Sequence, residues 1–194
     1  MAGDATRARL LAAAASLIVE LGWGSVTTRA VADRAGVNQA LVHYHFGSMA
    51  NLLRESVLAR LMPEVQTLLD ELLDDRPIPD SIHLVMGLLD RFDLETEAGV
   101  LMAEALLQAT RDETMSEAMG GMVGSWAELL EPRLKVAQER GVIRRDIDTA
   151  SMGLVIAAIL DGFLIQRMAD PTLDPVATAD TLIQLLSPVP EDRR

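Results

Sequence analysis

Asn38, Gln39, His43, Tyr44 and His45 fall within one short stretch of the chain, and together they form a hydrogen-bonding set suited to nucleic acid. An amide can pair bidentately with adenine, while phenol and imidazole groups reach phosphate oxygens. His43 and His45 also make a His-x-His pair, but two positions apart on a helix they diverge by about 200°, too far to share one metal ion. His83 stands alone among the histidines, and no cysteine or second-shell carboxylate spacing supports a site, so no metal is expected. Catalysis finds no support either. The chain has no Gly-x-Ser-x-Gly elbow, no phosphate-cradling glycine loop ending in Lys-Ser/Thr and no His-Glu-x-x-His, and its single lysine is Lys135. The expectation is a protein that is not an enzyme and needs no cofactor.

Such side chains must be held by something rigid, and the surrounding sequence supplies it. From Thr27 to Phe46 the chain reads as two short helices about a turn at Gly36. Thr27 or Thr28 can cap the first helix by accepting from an orphan backbone N–H. Val31, Ala32 and Ala35 give that helix a small apolar face, Gly36 ends it, and Val37 can fill the gap between the two. Asn38 then opens the second helix, expected over about 38–45, with Phe46 as a core anchor behind it. This is a helix-turn-helix, which places its second helix in the DNA major groove.

Thr6 to Ala14, Leu17-Ile18, Glu20 to Trp23, Tyr44 to Ser48 and Leu52-Leu53 extend the pattern on both sides of the turn. Over Thr6 to Leu53 the chain resembles the TetR family of bacterial transcriptional regulators. That resemblance implies that Gln39 and Ala40 read bases, and that Thr27, Thr28, Arg29, Asn38 and Tyr44 lie near the phosphate backbone. The chain departs from the family pattern at His43, where many members carry Tyr, and at Met49-Ala50, where they carry Lys and an acidic residue. Losing that lysine removes one phosphate contact per subunit, which lowers affinity for all sequences together.

The 194 residues carry a formal charge of −12, an unusual balance for a DNA binder. The charge is unevenly divided. Residues 1–60 hold Arg7, Arg9, Arg29, Arg34, Arg54 and Arg60 against Asp4, Glu20, Asp33 and Glu55, a net +2, which leaves −14 for the remainder. Exposed charges act within about a Debye length, ~8 Å at physiological salt, so the local sign governs contact with phosphate. No cysteine is present, no stretch resembles a signal peptide, and the longest apolar run, Met152 to Leu160, is far short of a membrane span. A cytoplasmic protein with no membrane partner is expected.

The fold class expected is all-α with about nine helices. A helix-turn-helix DNA-binding domain would occupy 1–48, and a ligand-binding and dimerisation domain 49–194. Helices are expected at about 7–21, from Ala50 to Leu73 with Pro63 as a kink, and at about 80–93, 96–111, 114–140, 149–168 and 175–187. In the body, Met86, Leu89, Phe92, Met102, Leu106, Met122 and Trp126 recur at helical spacing and are candidates to line an adaptable apolar pocket. Ordinary core packing is the competing reading for each. Glu104 is a candidate polar handle for a cationic ligand. The run from Met152 to Leu160 is apolar on every side, so part of it should face a second subunit. Met152, Ile156, Ile159, Phe163, Val176, Ala179, Leu182, Ile183 and Leu186 are the candidate dimer residues. Asp161 interrupts the run and would need a partner, for which Arg167 is a candidate. Asp112, Glu113, Asp146 and Asp148 are expected to be solvated.

Taken together, the sequence and the resemblance imply a homodimeric, ligand-responsive repressor released from a palindromic operator by a small apolar molecule. The alternative is a dimeric small-molecule-binding or scaffold protein with a weakened DNA-binding head.

Overall fold

The computed structural model describes the backbone of residues 2–188, and the side chains of that span other than those of 2, 90 and 122–127. Among the described residues there is no strand. Nine α-helices follow one another among the described residues: α1 Ala2–Leu21, α2 Thr28–Ala35, α3 Ala40–Phe46, α4 Met49–Leu73, α5 Ile78–Leu88, α6 Glu97–Ala109, α7 Glu113–Glu139, α8 Thr149–Ala169 and α9 Pro175–Leu186. Short 3-10 turns occupy Trp23–Ser25 and Leu89–Phe92. The fifth helix was expected to run to about 93. It ends at Leu88 and tightens into the second 3-10 turn, which still buries Leu89 and Phe92.

Packing groups the chain into two compact units. One comprises the chain up to Val65 together with 94–117, the other 66–93 together with the chain from 118 onward. Packing therefore places α6 with the amino-terminal helices, and it divides α4 just beyond Pro63.

In the first unit α1 packs on α2 and α6. Leu10, Ala14, Leu17 and Ile18 form its buried stripe, and Val31, Ala32, Val42, Phe46, Leu52, Val57 and Leu101 complete the core. Small residues on α2 let it approach α1 closely. Arg7 reaches from α1 to pair with Glu55 on α4, and its guanidinium lies 5.1 Å from the centre of the Phe46 ring. Such a cation–π contact helps fix the end of α3.

In the second unit α5 packs on α9, and His83 Nε2 lies 2.7 Å from Asp180 Oδ1 across that contact. The starts of α8 and α9 are set by aspartates. Asp148 accepts from the Ser151 N–H at 2.7 Å to open α8, and Asp174 accepts from Val176 and Ala177 to open α9. Asp148, expected to be solvated, is exposed and also serves as this cap. Asp146 likewise pairs with Arg144 at 2.6 Å.

Helix α8 is long and apolar enough, by composition, to cross a membrane. One side of it is nevertheless packed inside the chain: Gly153, Ile156, Ala157, Leu160, Phe163 and Leu164 are buried. Asp161 does not pair with Arg167. Arg167 lies 3.5 Å from Asp93 and donates to the Leu173 carbonyl at 2.8 Å, while burial pushes the half-buried Asp161 carboxyl above its ordinary range.

Candidate nucleic-acid interface

The turn between α2 and α3 is built as its residues dictate. Thr27 Oγ1 accepts from the Ala30 N–H at 3.2 Å, so Thr27 rather than Thr28 is the cap. Gly36 takes φ 64° and ψ 42°, the left-handed conformation that a side chain disfavours, and its N–H closes α2. Helix α3 starts at Ala40, two residues after the expected position, because Asn38 stays outside it and accepts from the Ala40 N–H at 2.8 Å. Val42 and Phe46 point inward. At the far end Ser48 Oγ accepts from the Asn51 N–H, and Asn51 Nδ2 returns a bond to the Phe46 carbonyl at 3.1 Å. This clasp fixes the corner between α3 and α4.

The outward side chains are those the sequence singled out. Thr27, Arg29, Asn38, Gln39, Ala40, His43 and Tyr44 are exposed, Thr28 and His45 half-buried. Tyr44 is 80% exposed, far more than a core tyrosine would be, and the His45 ring stands edge-on to it at 5.0 Å. Their hydrogen-bonding capacities differ. The Asn38 carbonyl is engaged in capping, which leaves its NH2 to donate and suits it to phosphate. Bidentate pairing with adenine needs both ends of an amide. Gln39 keeps both, since its side chain bonds to nothing among the described residues. His43 Nδ1 lies 3.3 Å from the Gly47 carbonyl, which can only accept, so that nitrogen is the donor in this contact.

Most positive charges of this region are committed internally. Arg34 holds Glu20 through two bonds of 2.6 and 2.7 Å, and Arg60 holds Glu97 at 2.9 Å. Arg54, only 16% exposed, bonds Asp112 at 2.7 Å and Asn51 at 3.0 Å. Asp112, expected to be solvated, also caps α7 by accepting from the Met115 N–H at 2.8 Å. The Arg54 guanidinium and that N–H hold the Asp112 carboxyl below the usual carboxylate range. Arg29 is different: its contact with Asp33 spans 3.6 Å, and both side chains are largely exposed. Sequence reading missed Arg54, Asn51 and Ser48 as supports of the interface. Only Ser48, three residues ahead of Asn51 at a helix start, carried a readable capping signal. Among the described residues no group of three His, Cys, Asp or Glu side chains could hold a metal ion.

The body candidates are placed as follows. Met86, Leu89 and Phe92 are buried in one unit, and Met102 is buried with Leu106 half-buried in the other. The side chains of Met122 and Trp126 lie outside the described residues. None of the cavities described is lined by these residues. Glu104 has one oxygen engaged, accepting from the Trp23 backbone N–H at 3.3 Å. Of the candidate dimer residues, Ile156, Phe163, Ala179, Leu182 and Leu186 are buried within the single chain; Met152, Ile159 and Ile183 are half-buried, and Val176 is exposed. The outward apolar residues of α8 and α9 are instead Leu154, Val155, Ile165, Val176 and Leu185, with Ala158 between them. A helix apolar on every side carries no phase in its sequence, so the inner and outer faces could not be told apart there.

A capped two-helix turn presenting amides and a phenol outward, inside an otherwise helical chain, defines a helix-turn-helix DNA-binding regulator. Residues 10–56 match the bacterial regulatory proteins of the tetR family, and residues 81–187 match the C-terminal region of BetI-type transcriptional repressors. The chain belongs to the TetR family of bacterial transcriptional regulators. It is similar to the HTH-type transcriptional regulator YvkB of Bacillus subtilis (strain 168), at 26% identity over 84% of this chain and 83% of that protein. Among solved structures the fold is shared with a transcriptional regulator from Saccharomonospora viridis in complex with choline, at 20% identity and TM-score 0.71, covering 92% of this chain and 93% of that one. It is shared also with SmeT in a complex with triclosan, at 20% identity and TM-score 0.74, covering 96% of this chain and all 100% of that one.

Proposed function

We propose that this regulator acts as a homodimeric repressor that leaves a palindromic operator when a small apolar molecule occupies its body. In this reading residues 1–48 bind DNA, and residues 49–194 bind ligand and dimerise. Each α3 enters a major groove, with Gln39 reading a base beside Ala40, and Thr27, Arg29, Asn38 and Tyr44 reaching phosphates. Half-sites then lie about one helical turn, ~34–36 Å, apart or a multiple of it. The apolar outer faces of α8 and α9 meet their copies in a second subunit, because water is a poor neighbour for so many large apolar side chains. Ligand entry beside Met86, Leu89 and Phe92 shifts α4, with Pro63 as the flex point. A ligand preferring the released state about a hundredfold supplies ~2.7 kcal/mol of coupling.

The observation that carries this reading is the exposure of Gln39, at the start of α3, and of Tyr44, on that helix, whose other face is anchored by Val42 and Phe46. The choline and triclosan complexes of the two structural relatives support a body that accepts small molecules. Fluorescence anisotropy tests the proposal, using the full chain with DNA from upstream of its own gene, excess random DNA and two salt concentrations. Binding that resists the competitor, weakens with salt and collapses in Gln39→Ala/Tyr44→Ala is expected. Release by triclosan but not by choline would support an apolar effector. Binding that is unchanged in the double variant would rule out α3 as the reading helix.

A further inference from the structure

In the second unit the loop between α4 and α5 and the far half of α7 enclose an open-sided cavity of about 310 Å3. Helical spacing puts Arg133, Val136 and Arg140 on the face of α7 that lines it. Pro77, Ile78 and Val142 supply an apolar wall. Val136 and Val142 remain 42% and 38% exposed, so the cavity mouth presents apolar surface to water.

Three guanidinium groups line this space, and they are not equivalent. Arg76 is already paired with both Glu71 and Asp74. Arg133 is half-buried and donates to the Arg76 carbonyl at 2.5 Å, with Ser81 Oγ at 3.4 Å. Among the described residues no carboxylate comes within ion-pairing distance of it. Burial pulls its pKa below the ordinary arginine range, with Asp75 and Asp74 opposing at longer range, yet an arginine stays charged. Arg140 is exposed, and among the described residues its side chain has no partner. Asp75 is the acidic residue of the lining. Glu71 and Asp74 on Arg76 together with Asp75 match the three guanidinium groups in number, but among the described residues neither Arg133 nor Arg140 holds a carboxylate of its own, so both keep donors for an anion beside the apolar wall.

We propose that this cavity binds a small organic monocarboxylate, with its carboxylate received by Arg133 and Arg140 and its apolar body against Pro77, Ile78, Val136 and Val142. An arginine left half-buried without an acidic partner gains most from an anion that brings both charge and geometry. An apolar ring beside the anion covers the two exposed valines, which a bare inorganic anion would leave wet. The site is separate from the proposed effector position beside Met86, and it does not depend on DNA binding.

Methyl NMR on the full chain tests the proposal, titrating benzoate and its uncharged isostere benzamide. Saturable shifts at Ile78, Val136 and Val142 are expected with benzoate, with a Kd of about 0.1–10 mM for so small a ligand. Benzamide is expected to bind at least ~10-fold more weakly, because it forfeits the charge-assisted bonds. Arg140→Gln, at an exposed residue without internal partners, should weaken benzoate by about tenfold while leaving the unliganded spectrum intact. Arg133→Gln should do the same, but it also disturbs the Arg76 carbonyl, so Arg140→Gln decides. Equal binding of benzamide, insensitivity to Arg140→Gln, or absence of shifts at these methyls would each overturn the proposal.

Discussion

Glu104 on α6 accepts a hydrogen bond from the backbone N–H of Trp23, the first residue of the 3-10 turn that follows α1. The bond spans 81 positions of sequence and lies against Gly22, whose φ of 76° lets the chain turn there. A side chain that looked like a ligand handle therefore holds the corner from which the helix-turn-helix departs.

That bond has a direct readout in amide exchange. Glu104→Leu removes the acceptor from a part-buried N–H, and bonds to charged groups contribute ~1.5–3 kcal/mol. Exchange at Trp23 should accelerate at least ~10-fold in native conditions. Glu104→Gln keeps an acceptor and should restore much of the protection. An unchanged Trp23 rate in Glu104→Leu would mean that the N–H is protected by something else.

Acid should weaken the fold through carboxylates that hold partners. Arg34 lowers the Glu20 carboxyl, and Arg54 with the Met115 N–H lowers that of Asp112. A folded value below the unfolded one stabilises fully above the unfolded pKa, ~4, and the gain is lost as pH falls through the folded value. The unfolding midpoint, followed by circular dichroism, should therefore fall as the pH drops below about 4. Asp112→Asn should flatten part of that dependence. A variant with the parent's full acid slope would show that the Arg54 pair contributes nothing.

Two neighbouring arginines should behave differently on DNA. Arg29 is exposed and only loosely held, whereas Arg34 grips Glu20 through two bonds. Arg29→Ala should lower the salt slope of operator binding by about one per subunit. Arg34→Ala should leave the slope alone and lower the melting temperature instead. Equal slopes in Arg29→Ala and parent would remove Arg29 from the phosphate contacts.

The outer faces of α8 and α9 can be tested by charge. Leu154 and Leu185, 57% and 62% exposed in the single chain, tolerate Glu in a monomer but not in a desolvated seam. Sedimentation should show Leu154→Glu/Leu185→Glu dissociating at least ~100-fold more readily, with helicity preserved. Should the variant remain as dimeric as its parent, the seam must lie on another surface.

Local signals carried far in this chain. Thr27, Gly36 and the helical spacing of Val31, Ala32 and Ala35 place the turn almost to the residue, because capping and left-handed backbone are short-range chemistry. Helix bounds in the body follow from apolar periodicity for the same reason. What escaped depends on distance or phase. Nothing near Arg54 announces Asp112, which is 58 positions away, and the face of α8 that turns inward is set by what packs on it, the Leu89–Phe92 turn included, rather than by its own residues. Met86 and Phe92 are buried, but periodicity alone cannot tell a core side chain from the wall of a pocket.

The internal pairing of Arg7, Arg34, Arg54 and Arg60 bears on how the protein partitions within a genome. A regulator competes for its operator against roughly 10⁶–10⁹ arbitrary sites, and attraction to those sites scales with the phosphates it neutralises. Guanidinium groups held by carboxylates neutralise few. Little of this regulator would then be absorbed by bulk chromosome, and a modest number of copies could keep an operator occupied. The same arrangement slows the search, because weak general attraction shortens each excursion along the duplex.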